Sequence, residues 1–131
     1  MSDTPQTILY VEDDLHVRTT ATLVLEVIGK FSVRACSSGH EALAAAADFQ
    51  PDLILLDVMM PELDGLETLA LLRTLPHLAD TPALFVTSLS APADLDRYLA
   101  AGAIGMIPKP LVPLRLVSQV HELWEQWLEP A

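Results

Sequence analysis

Short apolar runs alternate with longer stretches of helical spacing along this 131-residue chain. Ile8-Leu9-Tyr10-Val11 is an uninterrupted apolar run, broken at once by Glu12-Asp13-Asp14. Over residues 15–28, Val17, Ala21, Val24, Leu25 and Ile28 recur three and four apart, which predicts an amphipathic helix that Gly29 stops. Residues 31–36 read as a second strand, and Ser38 is placed to cap an Ala-rich helix over residues 41–49. Leu53-Ile54-Leu55-Leu56 has no polar alternation, the pattern of a strand covered on both faces. Further strands are predicted at residues 83–86 and 103–107, and further helices at 66–75, 93–101 and 113–128.

Strand and helix thus alternate five times, which predicts an α/β fold: a five-stranded parallel sheet with helices on both faces. No repeat, linker or break in composition divides the chain, so one domain over residues 1–131 is expected, with its core over about 7–128. A hydrophobic fraction of 51% is ample for that core. The apolar runs fall far short of the roughly 20 residues that span a bilayer, so no membrane insertion is expected. Met1 to Pro5 lack the charged and apolar parts of a signal peptide, and the single Cys36 cannot form an internal disulfide. Both point to the cytoplasm. With 7 basic against 18 acidic side chains, the net charge of −11 repels phosphate backbones and argues against direct nucleic-acid binding.

The polar positions that stand out all fall at the carboxyl ends of predicted strands, where open parallel sheets bind ligands. Glu12-Asp13-Asp14 follows the first strand, Asp57 the third, Thr87-Ser88 the fourth and Lys109 the fifth. Acidic residues there also suit a helix N-terminus, and Asp14 is a natural cap. Crowded carboxylates repel unless a hard divalent cation compensates them, and Mg²⁺ takes oxygen ligands. A metal beside Lys109 and the Thr87 hydroxyl is the clamp that phosphoryl transfer requires, and a carboxylate can serve as its nucleophile.

With these motifs the chain resembles the receiver domain of two-component response regulators, of the single-domain, chemotaxis-regulator-like kind, over essentially its whole length. The resemblance rests on Ile8-Leu9-Tyr10-Val11-Glu12-Asp13-Asp14, on the run from Asp57-Val58-Met59-Met60-Pro61 to Asp64-Gly65, on Val86-Thr87-Ser88 and on Lys109-Pro110. It implies a flavodoxin-like (βα)5 fold and phosphorylation of Asp57 by a sensor histidine kinase or histidine phosphotransfer protein. Mg²⁺, for which Mn²⁺ can substitute, would be held by Asp13, Asp57 and the backbone carbonyl of Met59, with Glu12 acting largely through water. Thr87 and Lys109 would grip the phosphoryl oxygens, and a downstream protein target would read the outcome. The Lys109-Pro110 bond would be cis. Such a domain is a phosphoacceptor switch and not an enzyme in the usual sense.

Receivers of this type usually carry an aromatic residue three positions before the lysine, turning inward as the threonine shifts. Here that switch position is Met106. The nearest aromatic, Tyr98, falls in the predicted fourth helix and is not expected to substitute directly. A flexible thioether discriminates two packings less than a ring does. A smaller response on the face of the fourth helix, fifth strand and fifth helix is therefore expected. Met59 and Leu89, two residues beyond Asp57 and Thr87, stand where fast self-dephosphorylating receivers tend to carry polar side chains. Both being apolar, slow loss of the phosphoryl group follows.

The remaining features read as structural. His16, His40, His77 and His121 share no metal-ligand spacing, although His16 lies close to the acidic cluster. In the last helix Leu116, Val120, Leu123, Trp124 and Trp127 form one apolar stripe, which Leu114, Val117 and Leu128 widen. Burial by the domain itself is the reading we favour. A partner or homodimer surface is the alternative. Two further alternatives concern the whole chain: a receiver module cut from a longer regulator or hybrid kinase, and an aspartyl-nucleophile phosphatase. The phosphatase would need an acid where Met59 stands.

Overall fold

The computed structural model describes residues 5–88 and 92–129, with Pro92 described by its backbone only. Five strands, β1 (Thr7–Val11), β2 (Ser32–Cys36), β3 (Leu53–Asp57), β4 (Ala83–Thr87) and β5 (Ala103–Pro108), form one parallel sheet in the order β2-β1-β3-β4-β5. The helices are α1 (Leu15–Val27), α2 (Gly39–Ala46), α3 (Gly65–Leu72), α4 (Pro92–Ala100) and α5 (Pro113–Leu128). This is the expected doubly wound (βα)5 architecture. Among the described residues no helix is long and apolar enough to cross a membrane.

Successive side chains of a strand point to opposite faces, so each strand feeds two cores. Leu9, Val11, Ile54, Leu56, Ala83 and Phe85 pack with Ala42, Ala46, Leu69, Leu72 and Tyr98 of α2, α3 and α4. Ile8, Tyr10, Leu53, Leu55, Leu84 and Val86 pack with Ala21 and Leu25 of α1 and with Leu116, Val120 and Trp124 of α5. Strand β3 is buried along its whole length, as the lack of polar alternation in 53–56 predicts, and so is β4.

Polar caps start three of the helices. Asp14 accepts from the Val17 N–H at 3.0 Å, Ser38 from Glu41 at 3.1 Å, and Asp64 from Glu67 at 2.8 Å. The Glu67 carboxylate returns to the Asp64 N–H at 3.1 Å, closing a capping box on α3. α2 starts two residues earlier than the Ala run predicts because Ser38 caps it, and it stops at Ala46. Between α3 and β4, Pro76–Leu78 form a 3₁₀ turn that hydrophobic periodicity does not reveal.

The apolar stripe of α5 is only partly covered, which corrects the expectation of burial by the domain itself. Leu116, Val120 and Trp124 are buried, and Val117 and Leu123 pack partly on the same core. Leu114 at 88% exposure, Trp127 and Leu128 face solvent. A helix lays only one face on the sheet, so a stripe wider than that face cannot all reach the core.

Candidate functional site

Strand order reverses between β1 and β3, since the chain runs from β1 outward to β2 and returns to the other side of β1. The carboxyl ends of these two strands are the sheet's switch point, where α/β folds leave a crevice. Glu12 and Asp13 leave the end of β1, and Asp57 is the last residue of β3. One carboxylate oxygen from each of Glu12, Asp13 and Asp57 can lie within 4.8 Å of the others, the one such group of potential metal ligands among the described residues. Glu12 is 3% and Asp57 1% exposed, while Asp13 faces solvent.

Local structure orients each of these groups. The Glu12 N–H donates to the Cys36 carbonyl at 3.0 Å, and Arg18 donates to the Glu12 carbonyl at 2.8 Å. The Glu12 carboxylate accepts from the Asp14 N–H at 3.0 Å. Asp14 itself is spent on capping α1, the structural role open to it from sequence, and lies outside the trio. The Val58 N–H bonds the Val86 carbonyl at 3.1 Å, tying the segment after Asp57 to β4. Across β4 and β5, Thr87 pairs with Pro108, and the Lys109 N–H donates to the Thr87 carbonyl at 2.9 Å. Lys109 thereby extends its ammonium to 2.6 Å from Asp57 Oδ1. The Lys109-Pro110 bond is cis, as expected.

Three carboxylates against one ammonium leave the site anionic, and burial makes that charge expensive. Burial pushes the Glu12 carboxyl up to about 7, opposed by the Asp14 N–H bond and reinforced by the charge of Asp57. Burial likewise raises Asp57, against the downward pull of Lys109. For Lys109 burial works downward, but its bond to Asp57 and the surrounding carboxylates prevail and hold it above its ordinary value. A group set of this kind, hard oxygens with an uncompensated negative charge, fits a divalent cation of the Mg²⁺ type.

The sign of the Glu12 shift gives a testable consequence. A raised carboxyl stabilises the fold fully below its ordinary 4.5 and loses that contribution as pH rises through about 7. Without metal, stability should therefore fall across this window. If Glu12 helps to hold Mg²⁺, the ion has to displace its proton, and affinity should then climb with pH up to about 7 and flatten beyond it. Calorimetric titration with Mg²⁺ at a series of pH values, beside metal-free melting curves, reads both. An affinity that is flat over that window would contradict the assignment of Glu12.

A cleft of about 740 Å³ opens over this site and is also lined by His16, Met59, Ser88 and Leu111. Met59 is 64% exposed at its mouth, and Leu89 lies outside the described residues. Met106 is half-buried against the core under α2, α3 and α4. None of the four histidines joins the carboxylate trio: His77 bonds the Ala46 carbonyl, His40 meets Glu62, His121 stacks near Phe31, and His16 is exposed. Cys36 is buried, its thiol pushed up to about 11 by burial.

Tyr98 stands nearer to Thr87 than its place in the sequence suggests. Tyr98 is fully buried, and its hydroxyl lies 3.0 Å from Thr87 Oγ1. Sequence reading set this residue apart from the switch because it sits on a helix eleven positions away. The missed signal is chemical: a tyrosine on the apolar side of α4 needs a partner for its hydroxyl when buried. Arg18, which braces the backbone of the acidic turn, was missed as well.

A parallel (βα)5 sheet with three acids, a threonine and a lysine at its carboxyl edge defines a class of signalling domain, and comparison with known proteins agrees. The sequence model of the response regulator receiver domain family matches residues 8–121, and this chain belongs to that family. It is 38% identical over 119 residues to the response regulator MprA of Mycolicibacterium vanbaalenii, covering 91% of this chain and 50% of that protein. It is also 32% identical over 111 residues to the signal transduction histidine-protein kinase BarA of Escherichia coli, covering 84% of this chain and 12% of the kinase. The chain thus spans half the length of MprA and a small part of BarA. Among solved structures, the chemotaxis response regulator CheY4 of Vibrio cholerae matches with a TM-score of 0.84 at 30% identity, covering 92% of this chain and 99% of that one.

Proposed function

We propose that this domain is a switch controlled by phosphorylation of Asp57. The observation that carries the reading is the buried Asp57 carboxylate, 2.6 Å from the Lys109 ammonium and grouped with Glu12 and Asp13 at the sheet's switch point. An Asp57 oxygen forms a bond to phosphorus as the P–N bond of a donor phosphohistidine breaks, and the imidazole nitrogen leaves with the electron pair. The donor is a sensor histidine kinase or a histidine phosphotransfer protein. Glu12, Asp13, Asp57 and the Met59 backbone carbonyl would hold Mg²⁺, either directly or through water. When bound, the ion supplies positive charge against which a phosphoryl oxygen can rest. Thr87 donates its hydroxyl proton to one phosphoryl oxygen, and Lys109 pairs with another.

Met59 and Leu89 are assigned the approach of a hydrolytic water. Apolar side chains neither orient nor activate water, and each ~1.4 kcal/mol added to a barrier slows a reaction tenfold. The acyl phosphate should therefore persist for many minutes. A downstream protein target reads the phosphorylated state, and the exposed Leu114, Trp127 and Leu128 of α5 offer a surface for such a target or for a second copy.

Labelled acetyl phosphate tests the reading. One phosphoryl group per chain is expected with Mg²⁺ or Mn²⁺ and none after chelation, followed by slow release. Repeated turnover of phosphate esters would show an enzyme instead. Loss of the label within seconds, or no acceleration in a Met59→Asn, Leu89→Glu double variant, would refute the shielding by these two residues.

A further inference from the structure

The contact between Thr87 and Tyr98 joins the phosphoryl site to α4 through two hydroxyl groups. Both residues are fully buried, and their oxygens are 3.0 Å apart. The Tyr98 ring packs 5.2 Å from Phe85, which lies two residues before Thr87 on β4, so ring and hydroxyl both bear on the same strand. Met106, opposite Phe85 in the β4–β5 register, is half-buried against the same core and has no hydroxyl to offer.

A threonine hydroxyl carries one proton and two acceptor lone pairs. While Asp57 is unmodified, either hydroxyl of the pair can donate. Once the Thr87 proton is committed to a phosphoryl oxygen, only Tyr98 can donate within the pair. A buried hydroxyl stripped of its partner is strongly unfavourable, so a shift of Thr87 toward Asp57 draws Tyr98 with it. Tyr98 sits in the body of α4, and its displacement is displacement of that helix.

We propose that Tyr98 is the positioning residue for Thr87 and the group through which α4 registers modification of Asp57. The proposal rests on Asp57 as acceptor. It places the readout on α4, where the family resemblance alone would place it at position 106. On this reading α4 responds through Tyr98, in contrast to the smaller response that Met106 alone implies for the face of α4, β5 and α5.

Amide spectra of the whole domain with Mg²⁺, before and after beryllofluoride, test this in wild type, Tyr98→Phe and Met106→Leu. Wild type should show changes around Asp57 and along residues 93–100. Tyr98→Phe, which keeps the ring, should bind beryllofluoride and retain the changes around Asp57 while losing those of α4. Met106→Leu should keep both. The ring-carbon resonance next to the Tyr98 hydroxyl should also shift in wild type, since its hydrogen bond becomes purely donating. A purely structural hydroxyl would leave that resonance unmoved. Wild-type α4 changes in Tyr98→Phe, or their loss in Met106→Leu alone, would overturn the proposal. Absence of any change around Asp57 in wild type would instead remove the acceptor reading on which it stands.

Discussion

Asp57→Asn should reduce labelling by acetyl phosphate to background while leaving the domain folded. The amide has nearly the carboxylate's shape but is a far poorer nucleophile, and no other described carboxylate has an ammonium 2.6 Å away. Burial already drives the Asp57 carboxyl upward. A carboxyl raised in this way contributes most below its unfolded pKa and loses that contribution as pH climbs through the folded value. At neutral pH without metal the wild-type charge is therefore a liability that the amide lacks. Metal-free Asp57→Asn should melt no lower than wild type at pH 7. That pairing of lost chemistry with retained stability separates the acceptor from a structural residue. Stoichiometric labelling of the variant would move the acceptor elsewhere, with the exposed Asp13 the next carboxylate to examine.

The second large effect is expected at Gly65. This residue opens α3, its N–H donates to the Val58 carbonyl at 2.8 Å, and it is buried against the backbone that leaves Asp57. A Cβ there would overlap the Asp57 carbonyl oxygen and come within 2.8 Å of Val58 Cα. Both neighbours are backbone, so no side chain can swing aside. Overpacking of this kind costs about 1–3 kcal/mol. For a domain of this size the upper end is a fall on the order of 10 °C in melting temperature. Because the displaced atoms include the carbonyl of the acceptor, labelling by acetyl phosphate should slow as well. Thermal melting and labelling rate of Gly65→Ala measure the two. An unchanged melting curve would mean that the loop gives way more easily than its packing implies.

Sequence and structure divide this protein along physical lines. The alternation of apolar runs with amphipathic stretches made the (βα)5 order legible, because a strand's period of two and a helix's of 3.6 are local properties. The candidate site was legible because Asp57 and Thr87 end their strands while Glu12, Asp13 and Lys109 come within two residues of a strand end, and a parallel sheet gathers its carboxyl ends on one edge. Asp14 reads from sequence as a member of the acidic cluster and as a natural cap, and the hydrogen bond from Val17 makes it the cap of α1. The width of the α5 stripe was visible, but which of its residues reach the core depends on how the helix lies against the sheet. Local pattern also could not pair Thr87 with Tyr98. That contact is made across the core, by a helix whose docking turns an apolar-face tyrosine toward the end of β4. Position along the chain is a one-dimensional property and sufficed to bring these groups to the strand ends. Which hydroxyl meets which is a matter of packing, and only the tertiary structure decided it.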